Sequence, residues 1–116
     1  MVFQLVAGNH LETPNAAKGW PHFMQDFKGK KIGVTSRGSG TEIWMAWMLE
    51  KAGIKLEDVS FVAVGGPATA YGALVSKQVD ALMMFNPMGA MCEVLKTCKV
   101  IYRAATDPQP AEMFAL

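Results

Sequence analysis

The chain reads as an α/β fold, a three-layer arrangement in which helices flank a mostly parallel sheet. Three observations carry this reading. Short apolar segments alternate with segments of helical spacing, in the order strand, helix, strand, helix, strand, helix, strand between Lys31 and Ala104. Each of the first three strands passes into its helix through a turn of Gly, Ser, Asn or Pro. Finally, a run such as Ser60-Phe-Val-Ala-Val64 is near-continuously apolar, the habit of a parallel strand covered on both faces.

The elements follow in order. Residues 2–7 form a short strand ending at Gly8-Asn9, and residues 9–27 show no sustained period, with Pro14, Asn15, Gly19 and Pro21 interrupting them. A loop this long in a compact domain is either functional or a connector. Lys31-Ile-Gly-Val-Thr35 is the next strand, followed by Ser36-Arg-Gly-Ser-Gly-Thr41 and a helix from Glu42 to Ala52. Gly53 stops that helix where a left-handed residue suits glycine. The strand 60–64 leads through Gly66-Pro67 into a helix ending near Lys77. Asp80-Ala-Leu-Met-Met-Phe85 leads through Asn86-Pro87 into a helix ending near Lys96, and Val100-Ile-Tyr-Arg-Ala104 is the last strand.

Composition narrows the classes of function. The 116 residues amount to about one domain. With 51% hydrophobic and 18% charged residues the chain can bury a core. The 11 basic and 10 acidic residues are scattered, so neither nucleic acid nor an anionic membrane is an expected partner. No apolar run reaches the ~20 residues that span a bilayer. Met1-Val-Phe-Gln-Leu-Val-Ala-Gly lacks the basic flank and long apolar region of a signal peptide. This fits a cytosolic chain, or a mature or truncated piece of a longer one. His10 and His22 lie far from Cys92 and Cys98, which leaves no zinc-type spacing. No metal, other cofactor or catalytic residue is expected. The two cysteines fit a disulfide in an exported chain, or two buried thiols.

In a parallel sheet every strand ends on one edge, where the following helix starts. Ser39-Gly-Thr-Glu42 fits a capping box, with Ser39 as N-cap and Glu42 reaching back. Gly66-Pro67 and Asn86-Pro87 each put proline at a first helical position, the latter behind a capping asparagine. Helix starts leave N–H groups unpaired and carry partial positive charge, so such a rim can seat an anion. Ser39, Thr41 and Arg37 could add direct hydrogen bonds, although ordinary caps would give the same pattern. Other chemistries fail on spacing. There is no G-x-x-x-x-G-K-[ST] loop, Ile43 stands where a dinucleotide fingerprint needs its third glycine, and no Gly-x-Ser-x-Gly elbow is present. Asp80 heads its strand instead of ending it, which rules out a phosphorelay receiver. Of Met83, Met84, Met88 and Met91, strand alternation and helical spacing place most in the core, in preference to a copper site. Trp44 and Trp47 read as packing on the sheet. Phe85 and Tyr71 could floor a ligand or pack inside, and His10 and His22 read as loop residues without a role.

Phe27-Lys-Gly-Lys-Lys-Ile-Gly-Val34, Ser39-Gly-Thr-Glu42, Val79-Asp-Ala-Leu82 and Phe85-Asn-Pro-Met88 together resemble one lobe of a bacterial solute-binding protein. The class is that of the nitrate/sulfonate/taurine substrate-binding components of ABC transporters, with the type II periplasmic-binding-protein fold. The resemblance implies a periplasmic receptor whose two lobes close on a small, anionic solute and pass it to a membrane permease. It points to Arg37, Ser39, Gly40 and Thr41 as ligand contacts and to Gly65, Gly66, Asn86 and Pro87 as the pocket rim. Asn86 and Met88 stand where relatives often carry an acidic residue and a second aromatic, so sulfonate is not singled out. The implied layout is a crossover strand and irregular connector over 1–27, an α/β ligand-binding lobe over 28–105, and a tail over 106–116. An excised lobe would bind weakly and could form a dimer, swapped through residues 1–27 or the tail after Ala104. Two alternatives share the scaffold: the effector domain of a LysR-type transcription regulator, and an enzyme akin to the family's pyrimidine-synthesis relatives. No activated nucleophile or acid–base pair supports the enzyme.

Overall fold

The computed structural model describes residues 3–85 and 87–103. Its strands are β1 (Phe3–Gly8), β2 (Lys31–Val34), β3 (Ser60–Ala63), β4 (Ala81–Phe85) and β5 (Cys98–Arg103). Its α-helices are α1 (Gly40–Lys51), α2 (Pro67–Val75) and α3 (Met88–Leu95). The strands form one sheet in the order β3-β2-β4-β1-β5. β2 is parallel to β3 and β4, while β1 is antiparallel to both β4 and β5. The sheet is thus mixed, with two parallel and two antiparallel pairings: four of the five strands run one way, as expected, but β1 is reversed among them. Leu5, Val6 and Ala7 are fully buried there.

The alternation of the sequence sets the layers. α1 packs on one face through Met45, Met48 and Leu49, over Leu5, Ile32 and Met83. α2 and α3 cover the other face through Ala70, Leu74, Met88 and Cys92, over Val6, Leu82 and Met84. Met83, Met84 and Met88 are fully buried, as the core reading requires. Gly53, at φ +82°, ends α1 as expected.

The irregular stretch 9–27 is not an open loop. It holds short 3-10 turns at Ala16–Lys18 and His22–Phe27, and the second buries Phe23, Met24 and Phe27 beside α1. Gly19 and Pro21 separate the two turns and keep them from joining into a longer helix, so no period shows in the sequence. The Asn15 backbone and side-chain N–H groups donate to the Asp26 carboxylate at 2.9 and 2.7 Å, and Lys99 Nζ donates to the Leu11 carbonyl at 2.6 Å. At the head of β4, Asp80 accepts the Lys31 N–H at 2.9 Å and meets His10 Nε2 at 3.1 Å. Cys92 and Cys98 form a disulfide that joins α3 to the first residue of β5. The tail 106–116 lies outside the described residues.

Candidate functional site

The strand order sets the start of α1 apart from the other two helix starts. β2 lies between β3 and β4, yet α1 leaves β2 for one face of the sheet while α2 and α3 leave β3 and β4 for the other. Helices diverging from adjacent parallel strands open a crevice at the strands' carboxyl ends, where ligands of α/β proteins bind. The crevice lies between Thr35–Thr41, which follow β2, and Phe85 and Pro87, at the end of β4. Gly65 and Gly66, after β3, lie beside it, because the Gly65 N–H donates to the Thr35 carbonyl at 3.0 Å.

Ser39 is the N-cap of α1, but neither half of the expected capping box forms. The Ser39 side chain makes no cap hydrogen bond, and Glu42 instead accepts from Arg37 Nε. Three hydroxyls gather there. Thr41 Oγ1 accepts the Thr35 N–H at 3.0 Å and lies 3.1 Å from Thr35 Oγ1 and 2.9 Å from Ser39 Oγ. Thr41 has a single proton to give, so one of the other two hydroxyls receives it. That hydroxyl keeps its own proton for an acceptor outside the trio. The Ile43 N–H makes the first helical bond, to Ser39, which leaves the N–H groups of Gly40, Thr41 and Glu42 without helical acceptors. Ser39 and Gly40 reach the surface, whereas Thr41 is 2% exposed beneath them.

Gly66 caps α2 with Pro67 first, as the sequence indicates. Gly65 has φ +76°, and a Cβ there would lie 2.7 Å from Thr69 Oγ1, which bonds back to the Val64 carbonyl at 2.7 Å. Glycine is therefore needed at that turn. At α3 the cap is Pro87 and the helix begins at Met88, one residue later than the proline signal indicates. Asn86 lies outside the described residues.

Arg37 sits apart from the hydroxyls. Its guanidinium pairs with Glu42 and lies 5.9 Å from the Phe61 ring centroid, back along β3 from the rim. Tyr71 takes the core alternative, with its hydroxyl bonded to Thr97 just before β5, at the end opposite the rim. Phe85 ends β4 at the rim, opposite Phe3 in register, and packs against the same core cluster as Tyr71. The Phe3 ring stands 5.6 Å from that of Trp44, and its edge is 3.5 Å from where a Cβ on Gly40 would lie. Trp44, one turn along α1, holds its indole N–H buried without an acceptor among the described residues. Sequence reasoning missed Thr35 and Phe3. Thr35 is a hydroxyl just past a strand end and was open to detection. Phe3 reaches the crevice only because β1 runs in reverse.

Comparison with known proteins decides the family. A family model described as NMT1/THI5 like matches residues 22–105. The chain belongs to the NMT1/THI5-like family. Over 65 residues it is 43% identical to a binding protein of Brucella abortus, an alignment covering 56% of this chain and 20% of that protein. Among solved structures, a protein from Bordetella bronchiseptica superposes with TM-score 0.70 at 35% identity, over 85% of this chain and 29% of that one. SsuA, a periplasmic sulfonate-binding protein from Methylobacillus flagellatus, gives TM-score 0.69 at 26% identity, over 92% of this chain and 29% of that one. The nitrate-binding protein NrtA from Synechocystis shares the fold at 15% identity, TM-score 0.66, with 87% of this chain and 27% of that one covered. This chain thus spans about a third or less of each relative. The family and its binding-protein neighbours support the non-enzymatic reading, and they lend none to the transcription regulator.

Proposed function

We propose that the chain is the solute-binding lobe of an ABC-import substrate-binding protein, with the residue ranges 1–27, 28–105 and 106–116 as its connector, lobe and tail. It takes a small anionic solute of the nitrate, sulfonate or taurine kind, a second lobe completes the site, and a membrane permease receives the solute. The observation that carries this is the hydroxyl trio at the α1 start, beside the crevice between β2 and β4 from which α1 and α3 diverge.

The solute's acidic group sits on the N–H groups of Gly40 and Thr41 and the free hydroxyl proton of Ser39 or Thr35. Uncharged donors at a helix start suffice for an anion. Gly65, Gly66, Asn86 and Pro87 form the walls, and Phe3 and Phe85 the floor. Arg37 contributes its charge but not a direct contact, since Glu42 engages it. The Cys92–Cys98 disulfide supports an exported, periplasmic protein. We propose further that two copies of this chain associate; a clean monomer by light scattering at high micromolar concentration removes that part.

Calorimetric titration with methanesulfonate, nitrate and taurine tests the site. One lobe supplies only part of the contacts, so the expected Kd is on the order of 1 mM. Removing both candidate hydroxyls, Ser39→Ala with Thr35→Val, weakens the bound anion about tenfold, the worth of one hydrogen bond to a charge, and Arg37→Gln weakens it less. Equal affinities in the wild type and the Ser39→Ala/Thr35→Val double variant would refute the assignment.

A further inference from the structure

The three helix starts on the rim are not equivalent, because the chain itself occupies one of them. Among the described residues, Gln4 and Thr41 are the two buried polar side chains. Gln4 lies in β1, opposite Met84 of β4 and Arg103 of β5, in the row next to the crevice. It is 7% exposed, and its Oε1 accepts the Gly89 N–H at 2.7 Å. Gly89 is the second residue of α3, so this N–H is one of those a helix start leaves open.

The fit is close. A Cβ on Gly89 would stand 2.9 Å from Gln4 Oε1 and 3.0 Å from its Cδ and Nε2. The amide is buried and bonded, so it has little room to give way. Two further ties hold α3 to the same strands: Cys98 of β5 binds Cys92 in mid-helix, and Asn9 Nδ2, just past β1, donates to the carbonyl of the capping Lys96 at 3.0 Å.

We propose that Gln4 is a positioning residue of the binding site. Resting on the functional reading above, it fixes the α3 start, and with it the Pro87 wall, against β1. It also supplies that helix start with a neutral acceptor from within, so the solute's acidic group has its seat at α1 and not at α3.

Two variants of similar side-chain length separate this role from simple space filling. Gln4→Met removes the acceptor and Gln4→Glu keeps it. Hydrogen exchange at the Gly89 amide, measured without ligand, reads the tie, and calorimetry with methanesulfonate reads the site. In Gln4→Met, Gly89 exchanges at least about tenfold faster relative to the Leu82 amide, and methanesulfonate binds several-fold more weakly. In Gln4→Glu, Gly89 protection returns. A Gly89 amide as protected in Gln4→Met as in the wild type overturns the proposal, as does unchanged methanesulfonate affinity. If the wild type itself binds no methanesulfonate, the seat at α1 falls, and Gly89 exchange alone decides for or against the tie.

Discussion

Thr41 is where the physical chemistry of the site concentrates. Its hydroxyl is buried, accepts a backbone N–H and joins two other hydroxyls, so it serves folding and, on the proposed reading, recognition as well. Thr41→Val keeps the shape and removes the acceptor, stranding the Thr35 N–H. The expected loss is about 1–3 kcal/mol by urea denaturation, with a weakened anion response. A loss below about 0.5 kcal/mol would mean that water replaces the hydroxyl. The Ser39–Thr41 turn was legible as a helix start because a run of Gly, Ser and Thr after a strand suits an N-cap. Gln4 was not. Nothing near it in sequence marks its partner, which lies 85 residues away.

At the scale of elements, local signals held where local forces act. Gly53 ends α1, Pro67 opens α2, and the buried methionines follow the periods of strand and helix. They failed where a competing partner was overlooked. Glu42 meets Arg37 instead of turning back on the helix start, because a charged partner outbids a backbone N–H for the carboxylate. The 9–27 segment looked structureless since its apolar residues cover a core without completing a helix. The disulfide gives this scale its prediction. Its cysteines are six residues apart, a short loop whose closure is worth about 2 kcal/mol. Reduction with dithiothreitol should therefore lower the unfolding free energy by about that amount. An unchanged denaturation midpoint would show that the tie adds nothing to holding α3 on β5.

The crevice between β2 and β4 comes from the topology of the whole molecule. The alternation of strands and helices made the fold class legible. It did not give the strand order, because pairing across the sheet depends on which apolar faces meet and not on neighbours in sequence. Placing β2 beside β4 brings the Ser39 and Pro87 turns to one spot, and reversing β1 brings Phe3 and Gln4 to the same end. The central claim is that an anion binds at this spot, on the α1 start. A backbone-amide NMR titration with methanesulfonate tests it most directly. The Gly40, Thr41 and Glu42 amides should shift together and saturate, while Gly89, engaged by Gln4, stays nearly still. Shifts confined to the surface lysines, or none that saturate, would contradict the claim.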